Sequence, residues 1–598
     1  MKKILSYLRN LSEYNFFKNL KFVIFSLFSV LGIYFVYNLD SNNFLFIILF
    51  FLYFFCYRNS KFNFNKKELV FCIFFSLFLS AILILGNQLE LYSAISWKIN
   101  TFINFMFLTF SIFPIICLIL KFILNNKIIY SKKLNYKKLL IITFIIIFLA
   151  NFLAWLALYP GVYGYDAGYQ IMVILEKMQI TSFFSVLYTC LLGKTVQFGM
   201  NLFNSYQIGL AIFTFFQMLF LTFVAFKIIS YILKKTNNFL FSLVFILFYS
   251  LFPLHLVMTV STAQDALFSG IFALLFLELL EIVENKNYWN YKRHYVFLVF
   301  LMFLLIVTRN NGIYCLIFII PFLLIFNKRN IRKVLAISLT LFVFYFGYTN
   351  IFFDFANIEK VNNIQEMLSI PSQQLARVYV YNNAIFNEDD IEKLTSFYSN
   401  IENFNLYLYR PSISDPIKEL VNNDFVKSNF ASYLSFWGKI GLKDPKNYIE
   451  AFLLNSLGFW YPNKNYYDAR MYHPYMEYNM LDVKLWNPKY IEISRSSKFP
   501  IYEHLLNSVV GENSWQKIPI LSTVFSLGFY FIIFIFAFLI VIVRRKFSYL
   551  LPLSLAMGLY ITLFLSPVAL FRYGYPFVLI SPLLITIIFT ICQPKFME

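Results

Sequence analysis

Charge is scarce in this chain: Asp, Glu, Lys and Arg make up 13% of its 598 residues, against 60% hydrophobic residues. A water-soluble fold cannot hide that much apolar side chain, so a soluble globular protein is excluded. Histidine is rarer still. His255, His294, His473 and His504 are scattered, and the six cysteines (Cys56, Cys72, Cys117, Cys190, Cys315, Cys592) lie far apart, mostly inside apolar runs. Neither set has metal-ligand spacing, and the cysteines read as small core residues. There is no Walker loop, dinucleotide fingerprint, HExxH or serine-nucleophile elbow, which leaves nucleotide chemistry without an evident site. The basic start (Lys2, Lys3, Arg9) is not followed by a convincing small-residue cleavage site, so an uncleaved first span is expected rather than a signal peptide. The apolar runs do not alternate with polar residues, which excludes a transmembrane β-barrel. No sequence repeat or low-complexity tract is evident outside the spans.

What is present is a succession of apolar runs of roughly 17 to 25 residues, the length that crosses a bilayer as a helix. The expectation is an all-α polytopic membrane protein with about fourteen transmembrane helices. The expected spans lie near 21–37, 43–57, 68–86, 101–123, 139–158, 206–230, 239–259, 262–283, 294–308, 311–327, 333–353, 518–543, 547–565 and 573–591. They divide the chain into four regions: an N-terminal extension (1–138, about four spans), a transmembrane core (139–353) with a long loop at 159–205, a polar segment (354–517), and C-terminal helices (518–598).

The formal charge of +20 is explained by its distribution and not by nucleic-acid binding. With the N-terminus in the cytoplasm, inner segments hold 29 Lys and Arg and the short outer segments only five: Lys98, Lys177, Lys194, Arg309 and Arg572. Cytoplasmic loops retain positive charge, and long segments such as 354–517 are exempt from that rule. This orientation puts Asp166, Asp265, Arg309, Arg572 and the whole of 354–517 on one extracytoplasmic side.

The stretch Tyr159-Pro-Gly-Val-Tyr-Gly-Tyr-Asp-Ala-Gly-Tyr-Gln170 concentrates turn-forming residues and tyrosines around one carboxylate, Asp166. Asp166 reads as a general base for an acceptor hydroxyl, or as the cap of a helix starting near Ala167. Tyr165 and Gln170 flank it as candidates for binding substrate. Helices lying along the interface are expected at 167–178 and 183–203. Asp265, in Ser261-Thr-Ala-Gln-Asp265, begins a span, where it is either functional or simply complements the helix dipole; His255, just before it, reads as an interface residue. Arg309 and Arg572 suit a lipid phosphate, through paired hydrogen bonds from guanidinium, or reach to headgroups.

Segment 354–517 lacks cysteine and holds Trp437, Trp460, Trp486 and Trp515, four of the seven tryptophans. Asp415-Pro416 and Asp444-Pro445 read as helix starts, Glu388-Asp389-Asp390 as an acidic first turn, and Asn447 to Leu457 as a helix with an apolar face. Gln373, Gln374 and Arg377 fall within a turn of one another, either holding sugar hydroxyls or phosphate or facing water. The run Phe459-Trp460-Tyr461 suits stacking on a sugar or anchoring at the interface.

An outward loop carrying Asp166 amid Tyr and Gly, Asp265 in the next outer loop, an Arg-Tyr-x-x-Pro element (Arg572, Tyr573, Pro576) and a large outer domain together resemble the GT-C glycosyltransferases. That superfamily includes protein mannosyltransferases and aminoarabinose transferases. The patterns Tyr-Pro-Gly…Tyr-Asp…Gln and Ile-Pro-x-Gln-Gln-x-Ala-Arg also resemble multi-pass proteins of AT-rich bacteria. The resemblance covers about 140–598. It implies a sugar donor linked to polyprenyl phosphate, a glycan, lipid or protein acceptor in the cell envelope, and a bacterial cytoplasmic-membrane location. It gives Asp166 the activation of the acceptor, and Arg572 with Arg377 the departing phosphate; Tyr573 belongs to the same element. The paired Asp-Glu of some members is not present at Asp166, and the histidine expected near an interfacial helix is replaced around Phe184-Ser185, so a divalent cation is left open. Two other readings compete: a polysaccharide polymerase or ligase, and a lipid-linked sugar flippase. Charges at the rims rather than at span centres disfavour transport.

Overall fold

A computed structural model describes residues 20–36, 44–59, 64–126, 128–129, 135–361, 364–399, 408–464, 491, 493–511, 514–518 and 521–593. His473, Trp486, Lys595 and the basic start with Lys2, Lys3 and Arg9 lie outside them. Among the described residues the fold is all-helical, with isolated β-bridges and no strand.

Among the described residues, eight helices are long and apolar enough to cross a membrane: Lys66–Tyr92, Ile99–Asn125, Tyr136–Ala157, Tyr206–Thr236, Gln264–Glu284, Lys328–Phe355, Phe547–Phe564 and Phe571–Cys592. A ninth arises if Phe239–Leu251 and Pro253–Thr259, bent by 61°, count as one span. The bend falls where Pro253, which has no N–H to continue the ladder, opens the second piece. The expectation of fourteen exceeds this number for a physical reason. Leu20–Val36, Phe44–Asn59, Lys292–Thr308, Gly312–Phe326 and Leu527–Val543 are helices of only 15 to 17 residues. At 1.5 Å per residue they reach about 23–26 Å, short of the ~30 Å hydrocarbon core. Hydropathy runs on through caps and turns that the helix does not include. Many large apolar side chains on the helices, such as Phe102, Phe216, Leu339 and Phe342, are exposed, as lipid-facing residues are.

The chain divides into two compact units. One comprises residues 1–127, 535–545 and 587–598. Its Lys66–Tyr92 helix starts with a capping box between Asn65 and Glu68. Arg544 donates to the same Glu68 at 2.8 Å, and Phe71 and Phe75 each meet the edge of Phe536 at 5.0 Å.

The other unit comprises 128–534 and 546–586. The two helices expected after Asp166 are present as Tyr165–Leu175 and Val186–Phe203. Within it, 364–448 builds a hydrophobic core of its own around Leu375, Leu394, Phe397, Tyr433 and Ile440. Asp444 caps the Pro445–Asn455 helix as expected, accepting from the Asn447 N–H at 3.1 Å. Asp415 does not cap; Ser414 holds that position, and Asp415 pairs with Lys418 at 2.8 Å.

Asp390 does more than open an acidic turn. It closes a capping box with Asn387 on the Glu388–Phe397 helix, is fully buried, and accepts from Lys439 at 2.6 Å and Lys443 at 2.8 Å. Burial pushes its carboxyl up, but these hydrogen bonds outweigh it and hold the group below the ordinary carboxylate range. The stability it contributes is therefore present at neutral pH and is lost as pH falls through that depressed value. Asp390→Asn is expected to cost on the order of 2 kcal/mol at pH 7, the worth of hydrogen bonds to a charged group. It should also flatten the acid limb of a thermal-unfolding midpoint measured against pH; an unchanged limb refutes the assignment.

Candidate functional site

The chain between the Tyr136–Ala157 and Tyr165–Leu175 helices is fixed by backbone. Gly161 adopts φ +131°, a conformation that L side chains rarely adopt, and a Cβ there would strike the Thr214 side chain. Val162 pairs in parallel with Ser261: its N–H donates to Val260 O at 2.9 Å, and the Thr262 N–H donates to Val162 O at 2.9 Å. The Gly164 N–H donates to Thr262 Oγ1 at 3.0 Å. Gln217 supports the second side of this stitch by donating to Ser261 O at 2.7 Å. Two helices, Tyr165–Leu175 and Gln264–Glu284, consequently begin next to each other, each with an acid in its first turn: Asp166 and Asp265. The exposed N–H groups of both starts favour negative charge there.

Asp166 is not a cap, because Gly164 occupies that position with no side-chain bond. Its carboxylate is ion-paired with Arg572. Arg572 is the second residue of Phe571–Cys592, the most enclosed candidate span. Its Nε lies 3.6 Å from Asp265 Oδ2. Asp265 is in turn ion-paired with Arg309, which ends the Lys292–Thr308 helix in extended conformation. The ring of Tyr573 lies between the arginines, 4.6 Å from the Arg309 guanidinium carbon and 5.0 Å from that of Arg572. The order is Asp166, Arg572, Asp265, Arg309: two acids, two bases, no net charge.

Burial is deepest at Asp265. Asp265 is 2% exposed and Arg309 10%, whereas Asp166 is 28% exposed. Neither arginine reaches out to headgroups; both point at carboxylates. Beneath the cluster sits Tyr188, fully buried, donating to Thr262 O at 2.7 Å. Nothing local in the sequence distinguishes Tyr188 from the other tyrosines.

Gln170 follows Asp166 by one helical turn. It is 1% exposed, and both its amide oxygen and nitrogen are buried without a hydrogen-bond partner. A buried amide in that state carries an uncompensated desolvation cost, which a ligand hydroxyl would relieve. Tyr165 opens the helix, and its side chain lies outside the described residues.

The Gln373, Gln374 and Arg377 trio does not face water. All three are buried on the Ser369–Tyr381 helix. Gln373 donates to Arg410 O at 2.8 Å and Ile413 O at 3.0 Å. Gln374 donates to Tyr448 O at 3.2 Å and accepts from Trp437 Nε1 at 2.9 Å. Arg377 pairs with Glu450 at 2.5 Å, both side chains 2% exposed. Gln373 reaches the cluster only through a neighbouring loop. The turn that Gln373 holds is itself joined to 566–568: the Ser414 N–H donates to Pro567 O at 2.9 Å, Ile413 bridges Val568, and Asn455 donates to Ser566 O at 2.7 Å. That loop leads directly into Phe571–Cys592 and so positions Arg572.

His255 is not an interface residue. It is fully buried at the bent helix pair, 2.8 Å from the Tyr575 hydroxyl through Nδ1. Trp460 and Tyr461 are likewise buried rather than presented for stacking.

An apolar groove of about 690 Å³ runs between Val186–Phe203 and Tyr206–Thr236, lined by Leu191, Phe198, Phe213, Phe216 and Leu267 together with Lys194. Leu267 stands two residues from Asp265. Among the described residues no three His, Cys, Asp or Glu side chains converge to hold a metal ion.

No curated protein and no solved structure matches this chain. One family model does, over residues 175–594. The matched region includes Asp265, Arg309, Gln373, Gln374, Arg377, Arg572 and Tyr573; Asp166 and Gln170 precede it. The chain belongs to this family, described as a family of unknown function (DUF6020).

Proposed function

We propose that the protein is a membrane glycosyltransferase of GT-C type, moving a sugar from a polyprenyl-phosphate donor to an extracytoplasmic cell-envelope acceptor. The observation that carries this reading is the alternating Asp166–Arg572–Asp265–Arg309 cluster at two paired helix starts. Arg572 exchanges Asp166 for the donor phosphate. The freed carboxylate takes the proton of the acceptor hydroxyl as that oxygen bonds to the sugar's anomeric carbon. The bond from that carbon to the phosphate oxygen breaks, and the phosphate leaves with the electron pair, neutralised by Arg572. Asp265 and Arg309 keep Arg572 aimed, and Tyr573 stiffens both arginines. Placing a fixed charge where charge develops is usually the largest catalytic term. The unsatisfied amide of Gln170 suits a sugar hydroxyl, and the groove that Leu267 helps to line suits the prenyl chain.

In this reading the N-terminus is cytoplasmic, the cluster faces outward from a bacterial cytoplasmic membrane, and the short helices cross with local thinning of the bilayer, giving about fourteen spans. Cell-envelope glycans compared with and without the protein test it: one class of sugar substituent is expected to vanish. One observation favours a second reading, a lipid-linked sugar transporter. The broken pair Phe239–Leu251 and Pro253–Thr259, with His255 buried in its second helix, is of the kind transporters use. Proteoliposomes that move a lipid-linked sugar across the bilayer without glycosyl transfer decide for the transporter.

A further inference from the structure

A second cavity, of about 290 Å³, lies beside the cluster and is lined by both aromatic and polar groups, among them Ser182, Phe184, Asn310, Tyr348, Asn350 and Lys360. Its size falls just below that of drug-sized ligand sites, which span roughly 300–1,000 Å³. One wall is unusual. The long helix that starts at Ile331 changes from α to π winding over Gly347–Phe352, before Phe353–Phe355 resumes it. A π segment widens the turn and shifts the register of the helix beyond it; such segments occur disproportionately at functional sites. Here the widened turn supplies Tyr348, Thr349 and Asn350 to the cavity.

The opposite wall is tied to the cluster. Asn310 comes directly after Arg309 and donates to Ser182 O at 3.1 Å. The ring of Phe184 lies 5.8 Å from that of Tyr169, which is one helical turn from Asp166. Ser185 donates to Val307 O at 2.7 Å, and its N–H donates to the side chain of Gln264, the neighbour of Asp265. The rim is closed by 359–361 crossing 180–182: the Glu359 N–H donates to Ile180 O at 2.9 Å, and the Val361 N–H to Ser182 Oγ at 2.9 Å.

The charge of the cavity narrows its ligand. Lys360 is answered by Asp354 at 2.9 Å and donates to Asn350 Oδ1 at 3.4 Å. An anion would compete with Asp354 for Lys360. Aromatic faces beside amides and hydroxyls, with the cation already neutralised, suit a ring with apolar C–H faces and many hydroxyls.

We propose that this cavity is the acceptor subsite and that it takes a neutral sugar unit. The inference rests on the glycosyl-transfer reading, since it makes the acceptor a glycan rather than a protein side chain or a phospholipid. The test uses the full-length protein in lipid nanodiscs and saturation-transfer NMR with N-acetylglucosamine and maltose as probes. At least one sugar is expected to receive saturation. Asn350→Trp, which fills the cavity, should abolish the signal, and Lys360→Ala, at an exposed position, should weaken binding about tenfold, the loss of roughly one hydrogen bond. An unfolding midpoint for Asn350→Trp close to that of the unsubstituted protein shows that the lost signal is not lost structure; if that variant unfolds, Lys360→Ala carries the test alone. The proposal is overturned if neither sugar binds, if binding ignores both cavity substitutions, or if inorganic phosphate displaces the sugar. Failure of the enzyme reading looks different: sugar binds in the cavity, yet no transfer occurs.

Discussion

Asp166→Asn is expected to lower the proposed sugar transfer by roughly 10²- to 10⁴-fold, the worth of a general base, while the protein stays folded in the membrane. The substitution keeps the size of the side chain and removes its charge and its capacity to take a proton. The cost to folding should be small, because Asp166 is the wettest of the four charges, at 28% exposure, and Arg572 retains Asp265 at 3.6 Å. The measurement is transfer from a polyprenyl-phosphate sugar by the purified variant, read beside its unfolding midpoint. Transfer at the unsubstituted rate removes Asp166 from the chemistry.

Asp265→Ala is expected to act on stability instead. It takes away the carboxylate that faces both Arg309 and Arg572 and leaves Arg309, 10% exposed, without its anion. Breaking a buried ion pair by deleting one partner costs about 3–5 kcal/mol, because the survivor stays desolvated. Replacing the pair together, Asp265→Leu with Arg309→Leu, should recover part of that loss, since an apolar pair carries no desolvation penalty. Thermal unfolding of both variants in detergent measures it. If the double variant is no more stable than Asp265→Ala, the Asp265–Arg309 pair is not what the single substitution broke.

The residues that make the cluster were legible, and their joining was not. Scarcity made Asp166, Asp265, Arg309 and Arg572 conspicuous: each is an ionisable group where apolar spans begin or end. Their mutual pairing depends on contacts 44 and 406 residues apart, carried by the stitch at Val162 and Ser261, whose residues are ordinary. The Gln373, Gln374 and Arg377 group shows the opposite case. Helical spacing correctly puts the three within a turn, but periodicity does not say what covers a polar face. Here the cover is Glu450, Tyr448 and Trp437, supplied from 63 to 74 residues later. His255 reads as an interface residue because it precedes an expected outer loop; the break at Pro253 turns it inward instead.

The stitch between Val162 and Ser261 also has a bearing on life in a variable bilayer. Helices tilt as lipid thickness changes, and side chains at their ends move apart accordingly. Here the origins of two helices are hung from one short piece of paired backbone, so tilting of Gln264–Glu284 swings its far end and leaves its origin beside that of Tyr165–Leu175. The separation between the two acids is thereby insulated from the composition of the surrounding lipid, much as the jaws of pliers stay aligned at the rivet while the handles spread.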